Sequence, residues 1–129
     1  MLNSKKREKR YAQLLLVTWV LVILFLTFIP GEYLPKTELS KMDKVIHFLE
    51  FFALGFLLMN FCLKSDFKIP IASMVIVSIV AGSIYGGVGE LFQTFIVGRT
   101  ADIYDFLSDL LGLNLGIFMY MRGVREWHS

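Results

Sequence analysis

A chain of 129 residues that is 56% hydrophobic and holds 12 Phe, with a mean hydropathy of +0.63, is too apolar for an ordinary soluble domain. Its net charge of +2, with basic residues gathered at the ends of apolar runs, argues against a nucleic-acid partner, and one cysteine, Cys62, excludes an intramolecular disulfide. About 20 apolar residues make a span, so the length points to one all-α domain over residues 1–129, a compact four-helix transmembrane bundle.

The first apolar run, "YAQLLLVTWVLVILFLTFI" over 11–29, follows the basic stretch "KKREKR". It is long and lacks a small-residue cleavage site, so it reads as a retained helix and not a signal peptide. The second, over 45–63, contains His47 and Glu50. Ser40 and Asp43 ahead of it match a capping box, so Asp43 is a helix cap or a member of the polar group described below. The third, over 70–97, opens on Pro70, which suits a first helical turn, and carries Glu90 and Gln93. The fourth, over approximately 101–121, starts after Arg99 and carries Asp102, Asp105 and Asp109. Asp102, behind Thr100, suits a helix start, where a carboxylate complements the positive helix end.

Lys5, Lys6, Arg7, Lys9 and Arg10 place the N-terminus in the cytoplasm by the positive-inside rule. Four spans then return Lys64, Lys68, Arg122 and Arg125 to that side and leave 30–44 and 98–101 outside. Lys36, Lys41 and Lys44 in the outer segment run against the rule, but Glu32, Glu38 and Asp43 accompany them. Tyr11 and Trp127 fall near the inner boundary, Tyr33 and Tyr104 near the outer one, as interfacial aromatics do.

With this topology the polar residues of the last three helices fall toward the outer end. At 1.5 Å per residue, Glu50, Glu90 and Asp109 lie roughly 10–12 Å from the outer ends of their helices, with His47, Gln93 and Asp105 about one turn higher. Spacings of three and four put Asp43, His47 and Glu50 on one face, Gly82, Gly86, Glu90 and Gln93 on another, and Asp102, Asp105, Asp109, Gly112 and Gly116 on a third. Small-residue spacings let helices approach closely in lipid, and a lipid-facing carboxylate costs at least about 2.5 kcal/mol. The three polar faces are therefore expected to meet, with the first helix at the periphery.

"DKVIHFLEFFALG", residues 43–55, and "GELFQTFIVGRTADIYDFLSDLLGLNLG", residues 89–116, resemble the VanZ-like family of small bacterial membrane proteins. The matching positions are Asp43, Lys44, His47, Phe48, Glu50, Glu90, Gln93, Gly98, Arg99, Asp102, Asp105, Gly112 and Gly116. Val97 stands where the family commonly has proline, and Asp109 where asparagine is usual. The resemblance implies a multi-pass protein of the bacterial cytoplasmic membrane. The family's namesake is linked to resistance to the glycopeptide teicoplanin.

Intramembrane ionisable groups are functional by default, so the candidate cluster is Asp43, His47, Glu50, Glu90, Gln93, Arg99, Asp102, Asp105 and Asp109. Its acids require neutralisation by protons, by a bound divalent cation, or by groups of a ligand. The leading expectation is a cell-envelope protein that binds a membrane lipid or cell-wall lipid precursor headgroup, with Arg99 on its phosphate. A metal-assisted lipid-processing enzyme and a helical scaffold in a membrane complex are the alternatives. A hydrogen-bond network that only fixes helix packing would account for the same residues. No nucleophile motif, Walker loop or dinucleotide fingerprint is present. The sequence leaves the substrate, catalysis and the oligomeric state open.

Overall fold

The computed structural model describes residues 2–33 and 39–127. Lys36 and Glu38 of the expected outer segment lie outside the described residues, as do the side chains of Ser40, Lys41, Arg125 and Trp127. The described chain forms α1 (Leu2–Thr27), a short 3-10 turn (Gly31–Tyr33), α2 (Leu39–Lys64), α3 (Ile71–Gln93) and α4 (Ile103–Trp127). No strand occurs among the described residues. Three stretches, Asn3–Thr27, Met42–Lys64 and Ile71–Gln93, are long and apolar enough to cross a membrane.

The helix ends differ from the sequence expectation for local reasons. The "KKREKR" stretch is itself helical, because Lys, Arg and Glu are good helix formers, so α1 starts at Leu2 and not near Tyr11. Helix α2 already starts at Leu39, which puts Asp43 inside the helix, past the position where it could cap it. Helix α3 stops at Gln93 and not at Val97. Beyond it the backbone N–H groups of Thr94, Phe95 and Ile96 donate to the carbonyls of Leu91, Phe92 and Gln93 at 3.2, 3.0 and 3.0 Å, an i→i−3 tightening common at helix ends. Gly98 then turns the chain at φ +75, a conformation that costs glycine nothing. Helix α4 starts at Ile103, capped by Asp102, whose Oδ1 accepts the Tyr104 N–H at 2.8 Å.

Contacts at the two ends fix the arrangement. Lys9 Nζ meets Asp66 Oδ2 at 2.6 Å, and Tyr120 donates to Asn60 Oδ1 at 3.0 Å. The start of α1, the α2–α3 loop and the end of α4 therefore share one end of the bundle. At the other end the Gly31 N–H donates to the Val97 carbonyl at 3.0 Å, joining the α1–α2 and α3–α4 connections.

Helices α2 and α4 run parallel and nearly touch backbone to backbone. A Cβ on Gly112 would collide with the carbonyl of Phe48, one on Gly116 with that of Phe52, and one on Gly55 with that of Leu113. This is the close approach that small residues permit where lipid supplies no hydrophobic drive between helices. The buried apolar core is formed by Phe51, Leu54, Met59 and Cys62 of α2 and Leu113 and Ile117 of α4, with Ile23 of α1 and Met74 of α3. The outward faces carry Leu21, Phe25, Ile76, Ile84, Leu111, Leu115 and Phe118, all exposed.

Candidate functional site

Each of α2, α3 and α4 delivers its polar face to one end of the bundle, and the resulting cluster is buried although it is rich in charge. His47, Glu90, Gln93, Asp105 and Asp109 are each no more than 7% exposed. Asp43, Lys44, Glu50, Arg99 and Asp102 are half-buried around them.

His47 is at the centre. Its Nδ1 lies 2.9 Å from Asp109 Oδ1 and 3.8 Å from Glu90 Oε1. The expected depth ordering is corrected here: His47 stands level with Glu90 and Asp109, and Glu50 lies one turn further in along α2. The α2–α4 glycine contacts set this register, because they leave no freedom to slide one backbone along the other. Gly86 on α3 makes room for the same group, its Cβ position being 3.1 Å from both Asp109 Oδ2 and Phe51 Cε1.

Glu90 is held at one oxygen. Its Oε2 accepts the backbone N–H of Asp102 at 3.0 Å, while its Oε1 is buried with no hydrogen-bond partner among the described residues. Asp102 caps α4 and also meets Lys44 Nζ through Oδ2 at 3.1 Å. The Tyr104 N–H, and after it the Lys44 ammonium, hold the Asp102 carboxyl below its ordinary range. Lys44 Nζ also lies 3.2 Å from Asp105 Oδ1. Lys44 was missing from the candidate cluster because it reads as an outer-loop charge. Its three-residue spacing to His47 was the available signal, since that spacing places both on one helix face.

Arg99 reaches the end of α1 and one acid of the cluster. Its Nε and Nη2 donate to the carbonyls of Ile29 and Leu26, at 3.1 and 3.3 Å, and its Nη1 lies 4.0 Å from Asp43 Oδ1. A guanidinium on the Leu26 carbonyl in the last turn of α1, and on the Ile29 carbonyl just beyond it, complements the negative end of the helix dipole. Arg99 is thus a clamp on the end of α1.

Helix α1, expected at the periphery, supplies a wall of the site. Trp19 Nε1 donates to the Glu50 carbonyl at 2.9 Å, and the Tyr85 hydroxyl donates to the Val20 carbonyl at 2.8 Å. Above these ties, α1 and α3 enclose a cavity of about 180 Å³. Ile23, Leu24, Phe51, Val88 and Phe92 line it together with His47, Glu50, Glu90, Gln93 and Asp109. A second cavity of about 90 Å³, reaching Asp43 and Arg99, shares His47, Glu50 and Gln93 with the first. Asp102 and Asp105 line neither cavity.

Long apolar helices around an inward-turned polar cluster define a multi-pass helical membrane protein. The VanZ/LLP1 family model matches residues 2–124, and the chain belongs to this family. An uncharacterized protein of the fission yeast Schizosaccharomyces pombe is 30% identical over 104 residues, covering 78% of this chain and 61% of the relative. The chain thus spans less than two thirds of that relative's length. No solved structure matches the chain.

Proposed function

We propose that all four helices cross the bacterial cytoplasmic membrane, with both termini in the cytoplasm, and that the polar cluster binds the headgroup of a lipid or lipid-linked cell-wall precursor from the outer leaflet. Helix α4 is not among the three stretches long and apolar enough to cross by composition, and two features support its crossing. Its carboxylates Asp105 and Asp109 are buried, while Ile103, Leu107, Leu111, Leu115 and Phe118 are exposed along its outer side. It also lies parallel to α2 in backbone contact, so it shares the depth of a helix that is itself long and apolar enough to cross. A cysteine replacing Ser4 in a Cys62→Ala background should react with impermeant reagents only after the membrane is opened. Labelling in intact cells would overturn the orientation.

One observation carries the binding reading: the cavity between α1 and α3 is lined by both apolar and ionisable side chains. An amphiphile suits such a space, its chain against Leu24, Val88 and Phe92 and its headgroup hydroxyl or amine groups against Glu50, Gln93 and Asp109. Mass spectrometry of lipids retained by the protein in mild detergent tests this. One lipid class should be enriched over the bulk membrane and lost from Glu50→Gln, with loss of any effect on teicoplanin susceptibility in cells. Retention of the same lipids in the same amount by wild type and Glu50→Gln would overturn it.

A further inference from the structure

We propose that His47, Glu90 and Asp109 form a binding site for a divalent transition-metal cation, of the Zn²⁺ or Mn²⁺ kind. His47, Glu90 and Asp109 come from three different helices, and one donor atom from each lies within 4.8 Å of the other two. Metal bonds of about 2.0–2.2 Å to nitrogen and oxygen place neighbouring ligand atoms roughly 3.0–3.4 Å apart. The 2.9 Å and 3.8 Å separations from His47 Nδ1 bracket that spacing.

The independent observation is Glu90 Oε1. The residue is 7% exposed, its Oε2 is fixed by the Asp102 N–H, and Oε1 points into the cluster with no hydrogen-bond partner among the described residues. A buried acceptor left unmade is costly, more so when it carries charge. One proton on His47 Nδ1 cannot serve both carboxylates, because it can lie along only one of the two directions. Asp109, at 2.9 Å, takes it, and Glu90 is left without a donor. A divalent cation in place of that proton binds all three atoms and balances two carboxylates.

A neighbouring group, Asp43, His47 and Asp105, also brings three donor atoms together. There the Lys44 ammonium already sits 3.2 Å from Asp105 Oδ1, and its charge opposes a second cation. One imidazole with two carboxylates favours Zn²⁺ or Mn²⁺ over Ca²⁺, which takes oxygen ligands alone. His47, Glu90 and Asp109 all line the 180 Å³ cavity, so the remaining coordination positions face the space assigned to the headgroup. The assignment goes beyond lipid binding and stands on the donor geometry.

The test uses full-length protein in mild detergent, stripped with chelator and titrated with Mn²⁺ alone. Electron paramagnetic resonance should show one saturable Mn²⁺ class with nitrogen coupling from His47. Mn²⁺ or Zn²⁺ should raise the thermal midpoint of the wild type. In Glu90→Gln and His47→Gln, shown to be monodisperse and helical, binding should weaken by at least about tenfold, while Asp43→Asn retains it. Folded wild type that binds neither ion, or Glu90→Gln that binds as tightly as wild type, would overturn the site. So would loss of binding in Asp43→Asn with retention in Glu90→Gln. Folded protein that retains its lipid but binds neither ion would overturn this assignment alone and leave headgroup binding standing.

Discussion

Along the α2–α4 interface the backbones meet with no side chain between them at Gly112 and Gly116, whereas between α1 and α3 the side chains leave a cavity of about 180 Å³. The first interface fixes register to within a fraction of a turn and so decides which polar groups stand level. The second has the Tyr85 hydroxyl bond to the Val20 carbonyl, with the cavity beyond it. The helices that carry His47, Asp105 and Asp109 are thus locked to each other backbone to backbone, while α1 is held against α2 and α3 by side-chain bonds from Trp19 and Tyr85.

The largest effect is expected from breaking the tight side. Gly112→Val places its branched side chain against the Phe48 carbonyl, where neither partner is a flexible side-chain end. Destabilisation should exceed the ~1–3 kcal/mol usual for overpacking, read as loss of monodisperse protein in mild detergent. The matching change on the open side, Val88→Leu, adds one methylene to a cavity wall and should cost less than about 1.5 kcal/mol. Equal losses in the two variants would abolish the distinction between the interfaces.

Arg99→Gln comes next. It removes two charge-assisted bonds to the Ile29 and Leu26 carbonyls. Such bonds contribute about 1.5–3 kcal/mol each when well shielded, so a half-buried pair should contribute about 1–3 kcal/mol in total. The loss should be local. Amide hydrogen exchange should accelerate over the end of α1 and stay unchanged around Gly112. Acceleration across α2 and α4 as well would mean that Arg99 supports the whole bundle.

A smaller and opposite effect is expected at Glu90. In metal-free protein, Glu90→Gln removes a buried charge while keeping an oxygen to accept the Asp102 N–H, and a neutral amide costs less to bury than a carboxylate. Thermal stability of the stripped variant should equal or slightly exceed that of stripped wild type. A fall of more than about 1 kcal/mol, near the mean cost of any point mutation, would mean that the charge itself holds the packing.

Much of this was legible in the sequence because helix faces follow from spacing alone. Asp105, Asp109, Gly112 and Gly116 share a stripe by arithmetic, and that stripe faces α2. Axial register was not legible. Counting from presumed helix ends put Glu50 level with Glu90 and Asp109, but α2 starts earlier and α3 stops earlier than the hydropathy of the chain implies. The contact that sets register, glycine against carbonyl, has no hydropathic signature. The role of Arg99 was hidden for a related reason: its partners are the backbone carbonyls of Leu26 in the last turn of α1 and of Ile29 just beyond it, and a carbonyl leaves no mark in a sequence. Lys44 was misplaced by the same boundary error, as a residue assigned to a loop carries no helix face.

The smallest effect concerns the junction where the two kinds of interface meet, the cap of α4. Asp102 accepts the Tyr104 N–H at 2.8 Å and pairs with Lys44 at 3.1 Å, and its carboxyl is held below its ordinary range, first by the Tyr104 N–H and then by Lys44. A group whose pKa is lower in the folded state adds stability above its unfolded pKa of about 3.9 and loses it as the pH falls through the folded value. Acid should therefore loosen the start of α4 below about pH 4, and not above it. The side chain is 36% exposed, so solvent screening limits the contribution to the ~0–1 kcal/mol range of surface pairs. Asp102→Asn isolates the charge, because asparagine caps helices about as well as aspartate. The difference in thermal midpoint between wild type and Asp102→Asn should be small and constant from pH 5 to neutrality, and should shrink as the pH falls toward 3. A difference that grows on acidification would have the wrong sign and would remove Asp102 from the charges that anchor α4 to α2.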